Sequence, residues 1–274
     1  MSVAFQSIFP QPKSIVGMIH LAPLPGTPAF RGSSQEVIDL AMQELSAYLE
    51  AGIDALIIEN MHDVPYLKNE VGHEVSSLMS IIAYEMKRRS QLPCGIQVLA
   101  AANQAALAVA KAAHLDFIRA EGFVFGHLAD EGYIDANAGA LLRYRKMIGA
   151  EEIAVFTDIK KKHSSHQLTS DIDLVETAKT AAYFRADGLI ITGSSTGRAA
   201  DLAEIKAVKQ ACSLPVLVGS GINLANLEVY MEQADALIVG SWFKKEGHWA
   251  NSLDTDRIKR LMEHGREIRQ KANG

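Results

Sequence analysis

The 274-residue sequence predicts a (β/α)8 TIM barrel, a closed sheet of eight parallel strands surrounded by helices, spanning residues 1–274 as a single domain. The length is typical of one such barrel, and hydrophobic residues make up 48 % of the chain, enough to bury a large core. Short apolar runs alternate eight times with longer runs of helical period, which favours a parallel barrel over two domains. No low-complexity segment or long linker interrupts this alternation.

The strands are predicted from near-continuous apolar runs, which a parallel sheet buried on both faces requires. They begin near Ile15, Asp54, Cys94, Leu115, Glu152, Asp187, Leu214 and Asp235. Between them apolar residues recur at helical spacing, and Ser33 followed by Glu36 predicts a capping box at the start of the first long helix. Aspartates precede the second, fourth, sixth and eighth strands at the bottom of the barrel, so we expect them to stabilise the fold.

Composition excludes several classes of function. The net charge is −5, and the one dense cationic run is Lys160–Lys162, so no nucleic-acid partner is predicted. No uncharged apolar run approaches the roughly 20 residues of a membrane span, and residues 1–12 do not resemble a secretion signal. We therefore expect a cytoplasmic protein without a transmembrane segment, in which Cys94 and Cys212 are reduced and pack as small hydrophobic residues.

The strongest local signal lies in the turns after the last two strands. The seventh strand ends in Gly219, Ser220 and Gly221, and the eighth ends in Gly240 and Ser241. Glycines let backbone N–H groups approach an anion, and phosphate sites in barrels lie after strands seven and eight. The pair of turns therefore predicts a phosphate-binding site, although two ordinary tight turns would have the same sequence.

The sixth strand ends in a run of hydroxyl residues and glycines that includes Thr192, Gly193 and Ser194. This run either extends the anion site or binds sugar hydroxyls, or it is a polar flexible loop that caps the next helix. The sequence leaves both interpretations open.

The fifth strand ends in a charged segment. Asp158 and Lys160 share a face if the strand continues, because side chains alternate along a strand. Such a pair shifts each partner's pKa and can act as acid and base. The alternative is an ion pair that holds the loop, with Lys161 and Lys162 solvated. Histidine spacing of the HEXXH type is absent, and no metal site is predicted.

Other polar residues also fall near strand ends. We predict Glu59, Glu121, Asp158 and Lys160 as catalytic groups, and His20, Gln97 and Arg119 as substrate contacts. Charges in apolar strands need partners, and their convergence around one barrel mouth is typical of an active site.

Several motifs together resemble the BtpA family, also called BtpA/SgcQ. They include VGMIHLAPLPG at residues 16–26, DALIIENMHDVPY at 54–66, QVLAAAN at 97–103, DIKKKHSSH at 158–166 and the glycine turns of the last two strands. The resemblance implies a barrel of the phosphate-binding kind. It also implies the role of the cyanobacterial member, a peripheral thylakoid factor needed to accumulate photosystem I reaction-centre proteins. Members in organisms without photosynthesis are named as enzymes or as nucleosidase-like proteins.

Two functional hypotheses follow. In the first, the protein is an enzyme that acts on a phosphorylated sugar or nucleotide-like small molecule, by isomerisation, aldol-type cleavage or N-glycosidic cleavage. In the second, it is a non-catalytic factor that supports photosystem I biogenesis or the stability of a protein complex. The sequence identifies no cofactor. Barrels of this kind often pair, so a homo-oligomer is compatible with the sequence, but no interface is predicted.

Overall fold

The computed structural model describes residues 5–193 and 197–273, and it confirms the predicted barrel. The eight parallel strands close in chain order. They are β1 (Ser14–His20), β2 (Ala55–Glu59), β3 (Cys94–Gln97), β4 (Phe117–Ala120), β5 (Ala154–Asp158), β6 (Gly188–Thr192), β7 (Val216–Gly219) and β8 (Ala236–Val239).

Helices follow each strand and pack on the outside of the barrel. They are α2 (Ser34–Ala51), α3 (His73–Ser90), α4 (Asn103–Ala112), α5 (Ala138–Met147), α6 (Leu174–Tyr183), α7 (Leu202–Ala211), α8 (Leu227–Gln233) and α9 (Thr255–Asn273). The capping box of α2 forms as predicted, since the Ser33 hydroxyl accepts from the Glu36 N–H and the Glu36 carboxylate accepts from the Ser33 N–H. Among the described residues, no helix is long and apolar enough to cross a membrane.

The strand register produces the tilt of the barrel. At four of the eight strand pairs, the last inward-facing residue of one strand lies two positions above that of its neighbour. For example, Arg119 of β4 pairs with Phe156 of β5, so Asp158 lies two residues above Arg119. A full circuit therefore displaces the register by eight residues, which is the stagger typical of a (β/α)8 barrel.

The inside of the barrel is a packed apolar core below its upper rim. Phe117 and Phe156 fill its centre with ring centroids 5.2 Å apart. Gly95 and Gly188 lie beside these rings, where an added Cβ would come within 2.2 Å of Phe117 and 2.7 Å of Phe156. These strand glycines are therefore needed because the rings occupy the space of a side chain.

A short helix closes the bottom of the barrel. Helix α1 (Phe5–Ile8) and the following Phe9 pack under the two central rings, with Phe9 centroids 5.5 Å from Phe117 and 6.0 Å from Phe156. Sequence analysis did not predict this element, because four residues are too few for a helical period to register.

The aspartates that precede the even-numbered strands have the structural role predicted for them. Each accepts a hydrogen bond from a backbone N–H at the start of the preceding strand and pairs with a cation. The pairs are Asp54 with Ile15 and Arg269, Asp116 with Cys94 and Lys87, Asp187 with Val155 and Arg145, and Asp235 with Val216 and Lys209. This repeat ties neighbouring strands together at the bottom of the barrel.

The loops after β4 and β5 form a small antiparallel sheet, which we call the cap sheet. Its strands are His127–Ala129, Gly132–Ile134 and Ser164–Ser165. Gly132 takes φ +102° after the two-residue turn that joins the first two strands. Strands of two or three residues show no readable alternation, and the pairing of Leu128 with Ser165 joins distant parts of the chain.

Candidate functional site

A ring of eight residues forms the upper rim of the barrel interior, with one from the end of each strand. Alternation from the inward-facing core residues below assigns them as His20, Glu59, Gln97, Arg119, Asp158, Thr192, Gly219 and Gly240. All eight are among the residues predicted for the site. Because side chains alternate along each strand, these eight residues all face the barrel interior at its upper rim. Their chemical roles remain predictions.

A cavity of about 130 Å³ opens on one side of this ring. Its wall includes Gly219, Ser220 and Gly221 after β7 and Gly240 and Ser241 after β8. A glycine offers only backbone atoms, so this side of the cavity is largely peptide backbone. His20, Glu59 and Arg119 line it as well. The space is that of several water molecules, which suits a small molecule.

The glycines of this wall fall into two groups. An added Cβ at Gly219 would meet no atom closer than 3.6 Å, and one at Gly240 none closer than 3.5 Å, the nearest there belonging to His20 and Met18. At Gly221, whose φ is +67°, a Cβ would lie 2.4 Å from the Ala199 nitrogen. Gly221 is therefore required by packing within the loops, whereas Gly219 and Gly240 would each accept a Cβ at an ordinary van der Waals distance.

The cavity wall also includes one lysine and two tryptophans that were not predicted as site residues. Lys162 comes from the loop after β5, and Trp242 and Trp249 come from the loop after β8. The guanidinium carbon of Arg257 lies 3.8 Å from the centre of the Trp242 ring, and the Trp249 ring lies 5.3 Å from that of His62. Trp242 directly follows Ser241 of the predicted phosphate turn, and this position in the sequence could have identified it as a site residue. Both tryptophans of the chain line this one cavity.

Arg119 and Asp158 form a buried bidentate ion pair. Arg119 Nε donates to Asp158 Oδ2 at 2.8 Å and Nη2 donates to Oδ1 at 2.9 Å. Burial alone would lower the pKa of Arg119, but Asp158, Glu59 and Glu121 outweigh it and hold the guanidinium charged. Asp158 uses both oxygens in this pair, so its evident role is to orient Arg119, which lines the cavity.

Glu121 is also fully engaged in the wall of the site. Its carboxylate accepts from Gln97 Nε2 at 3.0 Å, from the Ala101 N–H at 3.0 Å and from Lys161 Nζ at 3.2 Å. Glu121 therefore links the Gln97 side chain to the backbone of the loop that follows β3. Neither Gln97 nor Glu121 lines the cavity. Strand β4 ends at Ala120, so Glu121 lies just beyond the strand.

Glu59 is the carboxyl group that lines the cavity. It is 7 % exposed, and its Oε2 lies 3.5 Å from His20 Nε2. Burial raises the pKa of Glu59, and the nearby cations Arg119 and Lys162 oppose that shift only in part. A carboxyl group with a raised pKa can both accept and donate a proton near neutral pH.

His20 lies between the cavity and a buried ion pair. Burial lowers the pKa of His20 well below its ordinary value, and the Lys244 ammonium and His62 lower it further. Lys244 is itself 1 % exposed and pairs with Glu44 of α2. The His20 imidazole is therefore neutral at physiological pH, and it can donate or accept a hydrogen bond without adding charge.

The structure corrects the predicted pairing of Asp158 with Lys160. Strand β5 ends at Asp158, and Lys160 takes φ +51°, so alternation no longer applies. Lys160 Nζ instead donates to the Ile172 carbonyl, and it does not line the cavity. Lys161 lies 3.2 Å from Glu121 and 3.9 Å from Glu131, and Lys162 lines the cavity. Of the three lysines in this run, only Lys162 lines the cavity.

The run after β6 is described only in part. Thr192 ends the strand as part of the ring, and Ser194 lies outside the described residues. A Cβ at Gly193 would lie 2.1 Å from the Arg198 carbonyl oxygen, so this glycine is needed for packing. Across residues 5–193 and 197–273, no group of three or more His, Cys, Asp or Glu side chains is arranged to hold a metal ion.

The closed parallel barrel, with its polar rim and its cavity at the carboxyl ends of the strands, defines a TIM-barrel protein. The BtpA family model matches residues 11–267, and the chain belongs to the BtpA family. A mitochondrial, uncharacterized protein of Caenorhabditis elegans is 49 % identical over 91 % of this chain and 92 % of its own length. The photosystem I biogenesis protein BtpA of Synechocystis is 32 % identical over 91 % of this chain and 86 % of its own length.

Solved structures support the fold at low sequence identity. Thiamine phosphate pyrophosphorylase from Pyrococcus furiosus is similar with a TM-score of 0.57 and 13 % identity, covering 99 % of this chain and 100 % of that one. Orotidine 5'-monophosphate decarboxylase from Methanocaldococcus jannaschii also has a TM-score of 0.57, with 15 % identity over 92 % and 98 % of the two chains. At this identity the likeness concerns the fold alone.

Proposed function

We propose that this protein is an enzyme that acts on a phosphorylated small molecule. The observation that carries the proposal is the backbone wall at Gly219–Gly221 and Gly240–Ser241, in the same cavity as Arg119, Lys162 and Glu59. Backbone N–H groups and the fixed positive charge of Arg119 suit a phosphate monoester, and Glu59 adds a group that can transfer a proton. A binding module would not need this acid beside the anion site.

Each group has a distinct part in this proposal. The turns after β7 and β8 hold the phosphate, and Arg119 contacts a second anionic or hydroxyl group of the ligand. Asp158 orients Arg119, and Glu121 anchors the loop after β3 through the Ala101 N–H. Glu59 transfers a proton to or from the substrate. Isomerisation, aldol-type cleavage and N-glycosidic cleavage all use such an arrangement. The names of the two structural neighbours, a thiamine phosphate enzyme and a nucleoside monophosphate enzyme, agree with a phosphorylated ligand.

The two tryptophans allow a direct binding test, because both line the proposed site. Inorganic phosphate, ribose 5-phosphate and glucose 6-phosphate are titrated while indole fluorescence and the melting temperature are followed. Ribose and glucose serve as unphosphorylated controls. We expect the phosphorylated compounds to change the emission and to stabilise the fold by about 2.7 kcal/mol at 100 times Kd. Equal responses to phosphorylated and unphosphorylated compounds would reject the phosphate site.

Gly219→Ala is the matched variant for this test. Its added methyl group clashes with no protein atom and fills space beside the cavity. We expect it to fold normally and to bind phosphate at least about tenfold more weakly, equivalent to about 1.4 kcal/mol. Gly139→Ala on α5, away from the cavity, is the control and should bind as the native chain does.

A second candidate function is a non-catalytic role in photosystem I biogenesis or in the stability of a protein complex. The 32 % identity to the Synechocystis protein of that name favours it. The test is to express this chain, and its Glu59→Gln variant, in a Synechocystis strain that lacks the relative. Equal recovery of photosystem I with both chains would support the non-catalytic role, whereas recovery that requires Glu59 would support an enzyme.

A further inference from the structure

Three consecutive lysines follow β5, and only one of them lines the cavity. Lys160 Nζ donates to the Ile172 carbonyl, and Lys161 lies between the carboxylates of Glu121 and Glu131. Lys162 lines the cavity together with Glu59, Arg119 and the backbone turns after β7 and β8. The structure therefore distinguishes Lys162, which lines the cavity, from Lys160 and Lys161, which do not.

The surroundings of Lys162 favour the neutral amine more than water does. Burial lowers the pKa of Lys162, and the Arg119 guanidinium lowers it further, whereas Glu59, Asp158 and Glu121 raise it. The net effect on the pKa of Lys162 is a decrease, because burial and Arg119 outweigh the three carboxylates. Desolvation and a neighbouring cation are the two conditions that make a lysine nucleophilic.

We propose that Lys162 is the nucleophile of this site and forms an imine with the carbonyl group of a phosphorylated aldehyde or ketone. This inference rests on the proposed function, because the phosphate in the glycine turns would place the carbonyl carbon beside the amine. It narrows the substrate class from phosphorylated small molecules to phosphorylated carbonyl compounds.

The step balances with the groups at hand. The lone pair of the neutral amine attacks the carbonyl carbon, and the carbonyl oxygen takes a proton from Glu59, which leaves a carbinolamine once the nitrogen has lost its proton to solvent. A second proton on the hydroxyl group releases water and leaves the protonated imine. The sum is one amine, one carbonyl and one proton giving one iminium ion and one water. The iminium ion then accepts an electron pair from the adjacent carbon, so bonds at that carbon can form or break.

Reductive trapping tests this inference. The intact protein is incubated with glycolaldehyde phosphate, a small phosphorylated aldehyde, reduced with borohydride, digested and examined by mass spectrometry. We expect one dominant secondary-amine adduct, at Lys162, that inorganic phosphate suppresses. The trapping rate should rise with pH at a midpoint below the ordinary lysine pKa of about 10.4. Lys162→Arg should remove the adduct, while Lys160→Arg should leave it unchanged, and melting curves verify that both variants fold.

Tryptophan fluorescence under the same conditions separates the two proposals. Binding of glycolaldehyde phosphate without an adduct at Lys162 overturns the imine and leaves the phosphate site standing. Neither binding nor an adduct overturns both. An adduct at Lys162 that phosphate does not suppress supports the reactive amine and contradicts the glycine turns as its anchor. Adducts spread over many lysines overturn the inference.

Discussion

The buried ion pair between Arg119 and Asp158 gives a prediction whose size follows from its geometry. The side chains are 7 % and 2 % exposed, and two hydrogen bonds of 2.8 and 2.9 Å join them. Removing one partner of such a pair leaves an uncompensated buried charge, at a cost of about 3–5 kcal/mol. Asp158→Asn keeps the shape and one acceptor, and Glu59 partly compensates the remaining charge on Arg119. We therefore expect a loss near the lower limit, about 3 kcal/mol.

Urea denaturation of Asp158→Asn measures this loss, and a double-mutant cycle tests the pairing itself. Arg119→Met and Asp158→Leu should each destabilise the fold by several kcal/mol. The double variant should be more stable than either single variant, because neither charge is left alone. The exposed pair of Lys111 and Glu152 is the control, and Glu152→Gln should scarcely move the urea midpoint.

Two results would refute this reasoning. The first is a loss below about 1 kcal/mol for both single variants, which is the range of exposed pairs and would mean that water reaches the charges. The second is strict additivity in the cycle, which would mean that Arg119 and Asp158 stabilise the fold through separate contacts.

Three further predictions concern stability. Glu59→Gln should stabilise the fold at pH 8 but not at pH 4, as compared by urea midpoints. Because the pKa of Glu59 is raised in the folded state, the native chain loses stability as pH rises above the ordinary glutamate pKa of about 4.3. An equal gain from Glu59→Gln at both pH values would contradict this. Phe9→Ala should lose about 3–5 kcal/mol by chemical denaturation, because it empties the bottom of the barrel, whereas the half-exposed Phe184→Ala should lose less than about 1 kcal/mol. Gly221→Ala should lower the melting temperature more than Gly132→Ala. Both residues have positive φ, which costs about 1–2 kcal/mol for alanine, but only Gly221 has backbone atoms within 2.4 Å of the added Cβ.

Much of the candidate site follows from simple periodicity. In a barrel strand the inward residues are fixed by a period of two, so the charged or small residue at each strand end points to the same mouth. This is why the interior ring consists of residues that the sequence alone nominates, from His20 round to Gly240. The repeated aspartates below the strands were equally readable, because each stands between a helix and an apolar run.

The prediction was wrong where the chain leaves a strand. Alternation was extended two residues beyond Asp158, but Lys160 has a positive φ and turns away. Lys162 enters the cavity because the loop after β5 joins the cap sheet at Ser164, a contact with Leu128 and Ala129 that no local pattern reveals. The tryptophans of the last loop were missed for the same reason.

Burial and side-chain partners also determine the roles of residues whose positions the sequence predicts. Glu59, Glu121 and Asp158 are all acidic residues at or beside strand ends, and sequence alone treats them alike. Their partners distinguish them: Asp158 is paired with Arg119, Glu121 holds backbone and side-chain donors, and Glu59 lies in the cavity. Cys94 illustrates the same effect, since burial raises the pKa of its thiol to about 11 and makes it unreactive, as expected of a core residue.

The sequence by itself determined the barrel, the order of its strands and the residues that face its upper rim, because these depend on local periods in the chain. The tertiary structure decided which lysine and which carboxyl group line the cavity, and which glycines could carry a side chain without a clash. Those properties depend on distances between residues far apart in the chain and on the exclusion of water around them. The glycine turns after β7 and β8 could be predicted from the sequence, whereas the positions of Lys162, Trp242 and Trp249 in the same cavity depend on how the loops fold.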